Sequence, residues 1–233
     1  LSDPEAPYGT ALLELAQTLA AQGHVERVRS QLGHPRTVVR ETCLRALVAV
    51  RPEDLDTILI QALRDPDPEM RSQCLGFIEK EGFESAPSIV SALEGRLEDS
   101  DLAVRAHAAS LLGTKGSRVI EALLNDPKAE VRKLGLRYAP TSFESAIRAN
   151  LDLGDAGLRA VAMEALGRLG LEGSLSVEEL IRDTRSGEPR LRKVAASALA
   201  GREEPAAVKR LAEGLEDDDR GVRMQVQAKL IEM

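Results

Sequence analysis

Apolar residues recur along this chain at fixed distances from a regularly spaced series of arginines. The residue directly before each arginine is apolar, and so, with one exception, are the residues eight and twelve positions earlier. Small or apolar residues stand three and seven positions later. Columns that stay in phase over many units indicate an internal repeat. The arginines, 27 to 34 residues apart, are Arg40, Arg71, Arg105, Arg132, Arg159, Arg192 and Arg223.

The spacing within each unit is that of two helices joined by a turn. Positions −1, +3 and +7 from the arginine lie on one helical face, and positions −12 and −8 belong to the stripe of another helix. Asp, Pro and Gly stand between the stripes, as expected at a helix start. Neither helix can bury its stripe alone, so the units must stack into an all-α solenoid of about seven two-helix repeats. The predicted pairs are 24–33 with 37–50, 53–64 with 67–81, 84–97 with 101–113, 116–125 with 128–139, 142–152 with 155–169, 176–186 with 189–200, and 203–216 with 219–232.

A further apolar helix precedes the first repeat. Four leucines lie on one stripe between residues 10 and 22, which predicts an N-terminal capping helix within residues 1–23. Residues 24–233 then form a single repeat array, because no low-complexity segment or flexible linker interrupts them. The chain begins at Leu1 and not at Met, so we expect it to be a piece of a longer protein.

Composition narrows the classes of partner that we expect. Aromatic residues make up 2% of the chain and Trp is absent, so side chains that stack on bases or cage cations are scarce. The 31 basic and 38 acidic residues give a net charge of −7, which argues against nucleic acid as the partner. No apolar run is long enough to cross a membrane and no secretion leader is recognisable, so we expect no direct membrane insertion and a cytoplasmic location.

An aspartate six residues before the arginine completes the motif Asp-x4-apolar-Arg in four repeats. This motif resembles the second-helix signature of HEAT repeats, in particular the short bacterial type called phycobilisome-lyase HEAT-like repeats. The resemblance implies a right-handed α-solenoid that binds other macromolecules, with the second helices lining its concave side. It also implies that these aspartates and arginines bond neighbouring repeats into a structural ladder. The matching pairs are Asp65 with Arg71, Asp99 with Arg105, Asp126 with Arg132, and Asp217 with Arg223.

Three repeats depart from the motif at its aspartate. His34, Leu153 and Ser186 stand there instead, and we expect the ladder to be broken at each of them. Apart from Thr184, which stands eight residues before Arg192, the apolar columns continue through all three repeats.

Residues that could carry catalysis or bind a metal are few. His24, His34 and His107 form neither an HExxH zinc motif nor the His-Glu pairs of the di-iron deoxyhypusine hydroxylases, which are also HEAT-repeat proteins. Cys43 and Cys74 occupy the same column in adjacent repeats, too far apart for a disulfide, and we expect buried free thiols. Glycine-rich phosphate-binding loops are absent. We therefore predict no catalytic, metal-binding or cofactor-binding residue and no enzymatic activity.

The face best suited to a partner carries positions +1 and +5 of the second helices, which point away from the core stripe. Lys133 and Arg137 form a like-charged i, i+4 pair there, and Lys193 and Arg45 stand in the same two columns. These four cations predict a surface that receives an acidic segment of a partner protein. The competing interpretation is that Glu130 and other nearby acids neutralise this patch, or that it is simply a solvated surface.

The last helix carries Met224 and Ile231 in addition to its apolar stripe. A terminal repeat normally has a polar outer face. We therefore expect either that more repeats follow or that copies of the chain associate through the C-terminal helix.

Three functions fit these patterns. The first is a non-enzymatic bacterial scaffold that binds a partner protein on its concave surface. The second is an enzyme subunit of the bilin-lyase type, which only the repeat subtype suggests. The third is a regulatory module of a larger protein, whether membrane-associated or not. A base-binding DNA glycosylase, another class with HEAT-like repeats, is disfavoured by the acidity and the scarcity of aromatic residues.

Overall fold

The computed structural model describes residues 6–171, 173 and 175–232, with the side chains of residues 6–12, 20 and 232 left outside this description. Over this part of the chain the regular structure is helical, with no β-strand. The fifteen α-helices found there are α1 (Ala6–Ala21), α2 (Val25–Ser30), α3 (Thr37–Val50), α4 (Leu55–Ala62), α5 (Pro68–Glu81), α6 (Pro87–Glu94), α7 (Leu102–Leu111), α8 (Ser117–Leu124), α9 (Ala129–Tyr138), α10 (Glu144–Ala149), α11 (Ala156–Arg168), α12 (Val177–Asp183), α13 (Pro189–Leu199), α14 (Pro205–Glu213) and α15 (Arg220–Glu232).

Helices α2 to α15 form seven pairs, which confirms the predicted repeat architecture. The second helix of each pair begins and ends within two residues of its predicted bounds. The first helices are shorter than predicted because several finish in a tighter turn. After α2 and α14 the chain continues as 3-10 helix over Gln31–Gly33 and Gly214–Glu216, a common way to satisfy the last carbonyl groups of a helix.

Acidic side chains begin most of the second helices. Asp67, Asp101 and Asp155 each accept a hydrogen bond from a backbone N–H in the first turn of α5, α7 and α11 respectively. Glu188 does the same for α13, which also has a proline in its first turn. These contacts satisfy N–H groups that have no partner within the helix. The acidic caps therefore fix where these four helices begin, whereas α3 and α9 begin after Arg36 and Lys128 without a side-chain cap.

The apolar column twelve residues before each arginine forms the centre of the core. A small residue in the +3 column lets the second helix approach the first, and a Cβ placed on Gly135 would lie only 3.0 Å from the Cβ of Leu123. The exceptional polar residue of the −8 column, Thr184, is buried as well, and its hydroxyl donates to the carbonyl of Ile181 at 2.7 Å. The −12 column is buried throughout and consists of Val28, Leu59, Leu93, Ile120, Ile147, Leu180 and Leu211.

Two positions that were predicted to point away from the core are buried. Ala106 and Ala160 belong to the +1 column and have no accessible surface, whereas Lys193 and Met224 in the same column are exposed. Second helices of successive repeats pack side by side, as α5 does with α7 and α11 with α13. The neighbour therefore covers one flank of each helix, and the prediction of an outward face was wrong at these alanines.

The chain divides into two compact units, residues 1–119 and 120–233. In the first unit α1 packs against α3 of the first repeat. In the second unit α11 packs against both α9 and α13, and α13 packs against α15. The division into a capping helix (residues 1–23) and a single array (residues 24–233) stays a prediction, and the terminal residues Leu1 and Met233 lie outside the described part. None of the described helices is both long and apolar enough to cross a membrane.

Candidate protein-binding groove and arginine ladder

The arginine of each motif is first held by the turn of its own repeat. The Nη1 atom of Arg71 donates to the carbonyl oxygens of Asp65 and Pro66 at 2.8 and 3.1 Å. These bonds are local, since the partners lie six and five residues upstream. The same pair of bonds is made by Arg40, Arg132 and Arg223, and the first bond of the pair by Arg105 and Arg192.

The opposite edge of the guanidinium reaches the next repeat. Nε and Nη2 of Arg40 donate to the two carboxylate oxygens of Asp65 at 2.7 and 2.8 Å, and both side chains are more than nine-tenths buried. Arg192 grips Asp217 in the same bidentate way at 2.9 and 2.8 Å. Bonding of this kind joins adjacent repeats through charge-assisted hydrogen bonds. Arg71 makes a single such bond, from Nη2 to Asp99 at 2.6 Å.

These contacts stabilise the charged forms of Arg40, Asp99 and Asp217. The hydrogen bonds to Asp65 raise the pKa of Arg40 despite its burial. The hydrogen bonds from Arg192 likewise lower the pKa of Asp217. Burial alone would raise the pKa of Asp99, but bonds from the Arg71 side chain and a backbone N–H lower it.

The ladder continues past Ser186, where the sequence led us to expect a break. Nε of Arg159 donates to Asp183 at 2.8 Å, and both side chains are buried. Asp183 is the last residue of α12 and lies three residues before Ser186. An aspartate about one helical turn earlier therefore accepts the hydrogen bond from the arginine of the preceding repeat. The expectation of a break was wrong here because it considered only the position six residues before each arginine.

A gap remains at Arg132. The next repeat has Leu153 in the aspartate register, and this leucine is exposed. Buried Nε of Arg132 and buried Oδ1 of Asn150 both lack a hydrogen-bond partner among the described residues. The two side chains meet the same short segment, because Asn150 donates to the carbonyl of Leu124 at 3.4 Å and Arg132 donates to that of Asp126 at 2.6 Å.

His34 replaces the turn aspartate of the first repeat. Its Nδ1 accepts a hydrogen bond from the backbone N–H of Arg36 at 3.1 Å. The carboxylates of Asp65 and Asp126 accept the equivalent backbone bond in their own turns, at 2.9 and 2.8 Å. The histidine thus reproduces the local part of the aspartate's role without its charge.

A groove lies along the second helices of the second unit. Its larger part is a cavity of about 560 Å³ between α11, α13 and α15. Small and apolar residues form much of the lining, and Arg168, Arg190 and Lys193 bring positive charge to it. The non-basic lining residues are Met163, Glu164, Gly167, Val194, Ser197, Ala198 and Gln225.

A smaller cavity of about 180 Å³ lies beside the first. Both cavities share Glu164, Arg168 and Arg190, and the smaller one adds Arg137 of α9. The two cavities are therefore adjacent, and we refer to them together as the groove, which extends from α9 to α15. Four cationic side chains line it, against the single carboxylate of Glu164.

Two of these four cations are committed to contacts within the chain. Arg190 donates to both carboxylate oxygens of Glu164 at 2.9 and 2.6 Å, which raises the pKa of Arg190. Arg168 donates to the carbonyls of Leu136 and Ala139, where α9 ends, at 3.3 and 2.9 Å. These bonds bridge the helices that form the groove and hold its walls in place. Neither arginine was predicted as a binding residue from the sequence, although residues 189–193 read Pro-Arg-Leu-Arg-Lys.

The predicted binding residues differ in their surroundings. Lys193 and Arg137 are exposed in the groove and make no ion pair with the described residues. Lys133 is half-buried, lines neither cavity and pairs with Glu130 at 2.7 Å. This ion pair supports the neutralised-surface interpretation for Lys133. Arg45 belongs to the other unit and is exposed on α3.

The histidine and cysteine side chains, the residue types best suited to catalysis, lie mainly in structural positions. His107 is buried, and its Nε2 lies 3.0 Å from the carboxylate of Glu79 on the preceding second helix. Cys43 and Cys74 are free and buried; the Cys74 thiol donates to the carbonyl of Leu59 at 3.3 Å. Burial raises the pKa of the Cys74 thiol far above its ordinary range, which keeps it protonated. No group of three or more metal-ligating side chains occurs in the described part of the chain.

Comparison with known proteins places the fold. No protein-family model matches the sequence, and no curated protein matches it. The structure is similar to a chain from the complex of CpcE and CpcF of phycocyanin lyase from Nostoc sp. PCC7120, with a TM-score of 0.51, 20% identity and coverage of 89% of this chain and 87% of that one. Together with the seven helix pairs, this match shows the fold of a HEAT-like helical repeat array.

Two further structures are matched less well. Human deoxyhypusine hydroxylase in complex with glycerol has a TM-score of 0.36, 18% identity and coverage of 94% of this chain and 87% of that one. A computationally designed armadillo repeat protein for modular peptide recognition has a TM-score of 0.33, 18% identity and coverage of 88% and 98%. The assignment of the HEAT-like repeat fold therefore rests on the first structure and on the chain's own helix pairs. At 20% identity that likeness concerns the fold and not the activity.

Proposed function

We propose that this repeat protein is a non-enzymatic scaffold whose groove, running from α9 to α15, binds an acidic segment of a partner protein. The observation that carries the proposal is that Lys193 and Arg137, in the two adjacent cavities of the groove, make no ion pair with the described residues. A carboxylate brought to either would gain a charge-assisted hydrogen bond without displacing an acidic partner among the described residues.

The rest of the lining favours an extended segment with alternating acidic and apolar residues. Met163, Val194 and Ala198 offer apolar contact, while the basic groups lie in the same groove. Successive side chains of an extended peptide point to opposite sides, so one side can face the apolar residues and the other the cations. The chain as a whole is acidic, and a local basic groove in that setting gives specificity for acidic partners.

The remaining predicted residues have lesser parts in this proposal. Arg45 would supply a separate contact on α3, and Lys133 would contribute only when the partner displaces Glu130. The ladder residues would act structurally, by fixing the spacing of the second helices that form the groove. Buried free thiols at Cys43 and Cys74 are compatible with a reducing compartment, and we propose the cytoplasm.

A fluorescence anisotropy titration tests the groove directly. The probe is a fluorescein-labelled decapeptide that alternates Glu and Leu, and its matched control alternates Gln and Leu. We expect binding of the acidic peptide only, weakened by salt because exposed charges are screened. Reversing two charges, with Lys193→Glu and Arg137→Glu together, should weaken binding at least about tenfold.

The control variant is Lys209→Glu, which reverses an exposed charge on α14 outside the groove. It should bind the acidic peptide as the original chain does. Equal binding of the two peptides, or equal loss in the groove variant and the control variant, would contradict the proposed function.

A second candidate function is an enzyme subunit of the bilin-lyase type. The fold match to the phycocyanin lyase complex favours it. The test is to add a bilin and a phycobiliprotein substrate to the chain and to look for a coloured, covalent adduct. Adduct formation would support the lyase candidate, and its absence would leave the scaffold.

A further inference from the structure

The last repeat exposes an apolar face. Met224, Ile231 and Leu215 are 58%, 78% and 44% exposed, respectively. They belong to α15 and to the 3-10 turn that follows α14. Three large apolar side chains at one end of a repeat array are more than a scattered surface residue would explain.

Earlier repeats show what covers these positions where another repeat follows. The counterparts of Leu215 at Leu32, Leu63, Leu124 and Leu151 are buried. In the columns of Met224 and Ile231, Ala106, Ala160 and Val48 are buried, whereas Lys193 and Gly167 are exposed. Neighbouring repeats can thus cover apolar side chains at these positions, as α13 packs against α11, and the exposed face corresponds to an inter-repeat surface.

The ladder is incomplete on this face as well. Nη1 of Arg223 donates to the carbonyls of Asp217 and Asp218 at 2.6 and 2.9 Å, so the guanidinium is already fixed by its own turn. Its Nε and Nη2 edge meets no carboxylate of the described residues, whereas the same edge of Arg192 grips Asp217. A carboxylate on the covering element would accept hydrogen bonds from the Nε and Nη2 edge of Arg223.

These observations specify the covering element. A single amphipathic helix, such as α1 packed against α3, would cover apolar surface but would bring no turn aspartate to the arginine. We infer that the face formed by α14 and α15 docks a further helix hairpin of the same repeat type, with an aspartate in the ladder register. This inference is independent of the groove, which lies along the second helices.

The chain itself supplies a probe for this inference. Residues 51–82, which contain α4 and α5, are appended directly after residue 233. Asp65 of the appended copy then follows Arg223 by 25 residues, the separation found between Arg40 and Asp65 and between Arg192 and Asp217. Two matched controls carry Asp65→Asn in the appended copy or the same 32 residues in shuffled order.

Thermal unfolding and methionine oxidation provide two readouts. The appended repeat should raise Tm by roughly 5 °C or more, because each filled interface adds to the stability of an array. Asp65→Asn in the appended copy should remove a substantial part of that rise. Oxidation of Met224 by peroxide, followed by mass spectrometry, should slow at least about threefold with the appended repeat and not with the shuffled one.

Two results would overturn the inference. One is an appended repeat that neither raises Tm nor protects Met224 more than the shuffled control does. The other is dimerisation of the unmodified chain in analytical ultracentrifugation that Met224→Glu and Ile231→Glu abolish. That outcome would show that a second copy covers this face. A monomer of the unmodified chain at all concentrations tested would support the inference.

Discussion

Arg40 and Arg132 occupy the same position of the motif and bond to their own turns in the same way. They differ in the partner that each meets in the next repeat. Both arginines donate through Nη1 to two carbonyls of their own turn. Arg40 also binds Asp65 through its other edge, whereas the buried Nε of Arg132 has no partner among the described residues. The arginine column can thus persist in the sequence where the inter-repeat bond is missing.

The difference shows that the motif serves two separable purposes. The bonds to the turn carbonyls close the connection between the two helices of one repeat. The carboxylate bond joins one repeat to the next, and its donor and acceptor lie about 25 residues apart. The stability of a repeat array is the sum of the stability of each repeat and of the interfaces between repeats. Removing the local bonds alone, or the inter-repeat bond as well, should therefore lower the free energy of unfolding by different amounts.

The largest expected effect is the loss of the buried pair at Arg40. Arg40→Met leaves the carboxylate of Asp65 buried without its partner, which should cost about 3 kcal/mol in the free energy of unfolding. The matched variant Arg132→Met loses the bonds to two turn carbonyls, which should lower the free energy of unfolding by about 1 kcal/mol. Urea unfolding followed by circular dichroism measures both. Equal losses would mean that the inter-repeat bond contributes nothing beyond the local one.

A smaller difference is expected between variants of Asp183 and of Ser186. Asp183→Asn removes the charge that pairs with buried Arg159, which should lower the free energy of unfolding by about 2 kcal/mol. Ser186→Ala removes one hydrogen bond accepted from the N–H of Glu188, at no more than about 1 kcal/mol. The same unfolding measurement distinguishes them. If Ser186→Ala lowered the free energy of unfolding more than Asp183→Asn does, Asp183 would not be the residue that joins Arg159 to the next repeat.

The smallest effect is a gain at the gap. Leu153→Asp places a carboxylate in the register of Asp65 and Asp217, within the repeat that follows Arg132. We expect the free energy of unfolding to rise by about 1 kcal/mol, since the lost leucine side chain is exposed. Leu153→Asn is the neutral control. A gain in both variants, or in neither, would show that Arg132 does not reach this position.

Local residue patterns were sufficient for most of the fold. Apolar columns in phase with the arginines located the second helices to within two residues, because a stripe with helical period and an acidic turn leave little choice of boundary. The first helices were predicted too long, because their final residues have the same apolar character in a 3-10 turn as in an α-helix. Ala106 and Ala160 were placed on the wrong face, since a pattern within one helix does not show which flank the neighbouring repeat covers.

The candidate groove was only partly predictable. Lys193 and Arg137 were identified by their columns, but Arg190 was not, because its contact with Glu164 joins helices 26 residues apart in the chain. Lys133 was expected in the same patch, and the structure instead pairs it with Glu130 three residues earlier. Whether a cation is free or paired depends on rotamers and neighbours that a residue column does not contain.

The sequence by itself determined the helical repeat, its register and the residues that form its core, because these follow from periodicities of a few residues. Only the tertiary structure decided which carboxylate of the next repeat pairs with each arginine. Asp183, and not the residue at position 186, accepts from Arg159. Leu153 offers no carboxylate to Arg132, whose Nε has no partner among the described residues. A bond between repeats depends on where two distant side chains meet in space, and a shift of one helical turn is enough to exchange one partner for another.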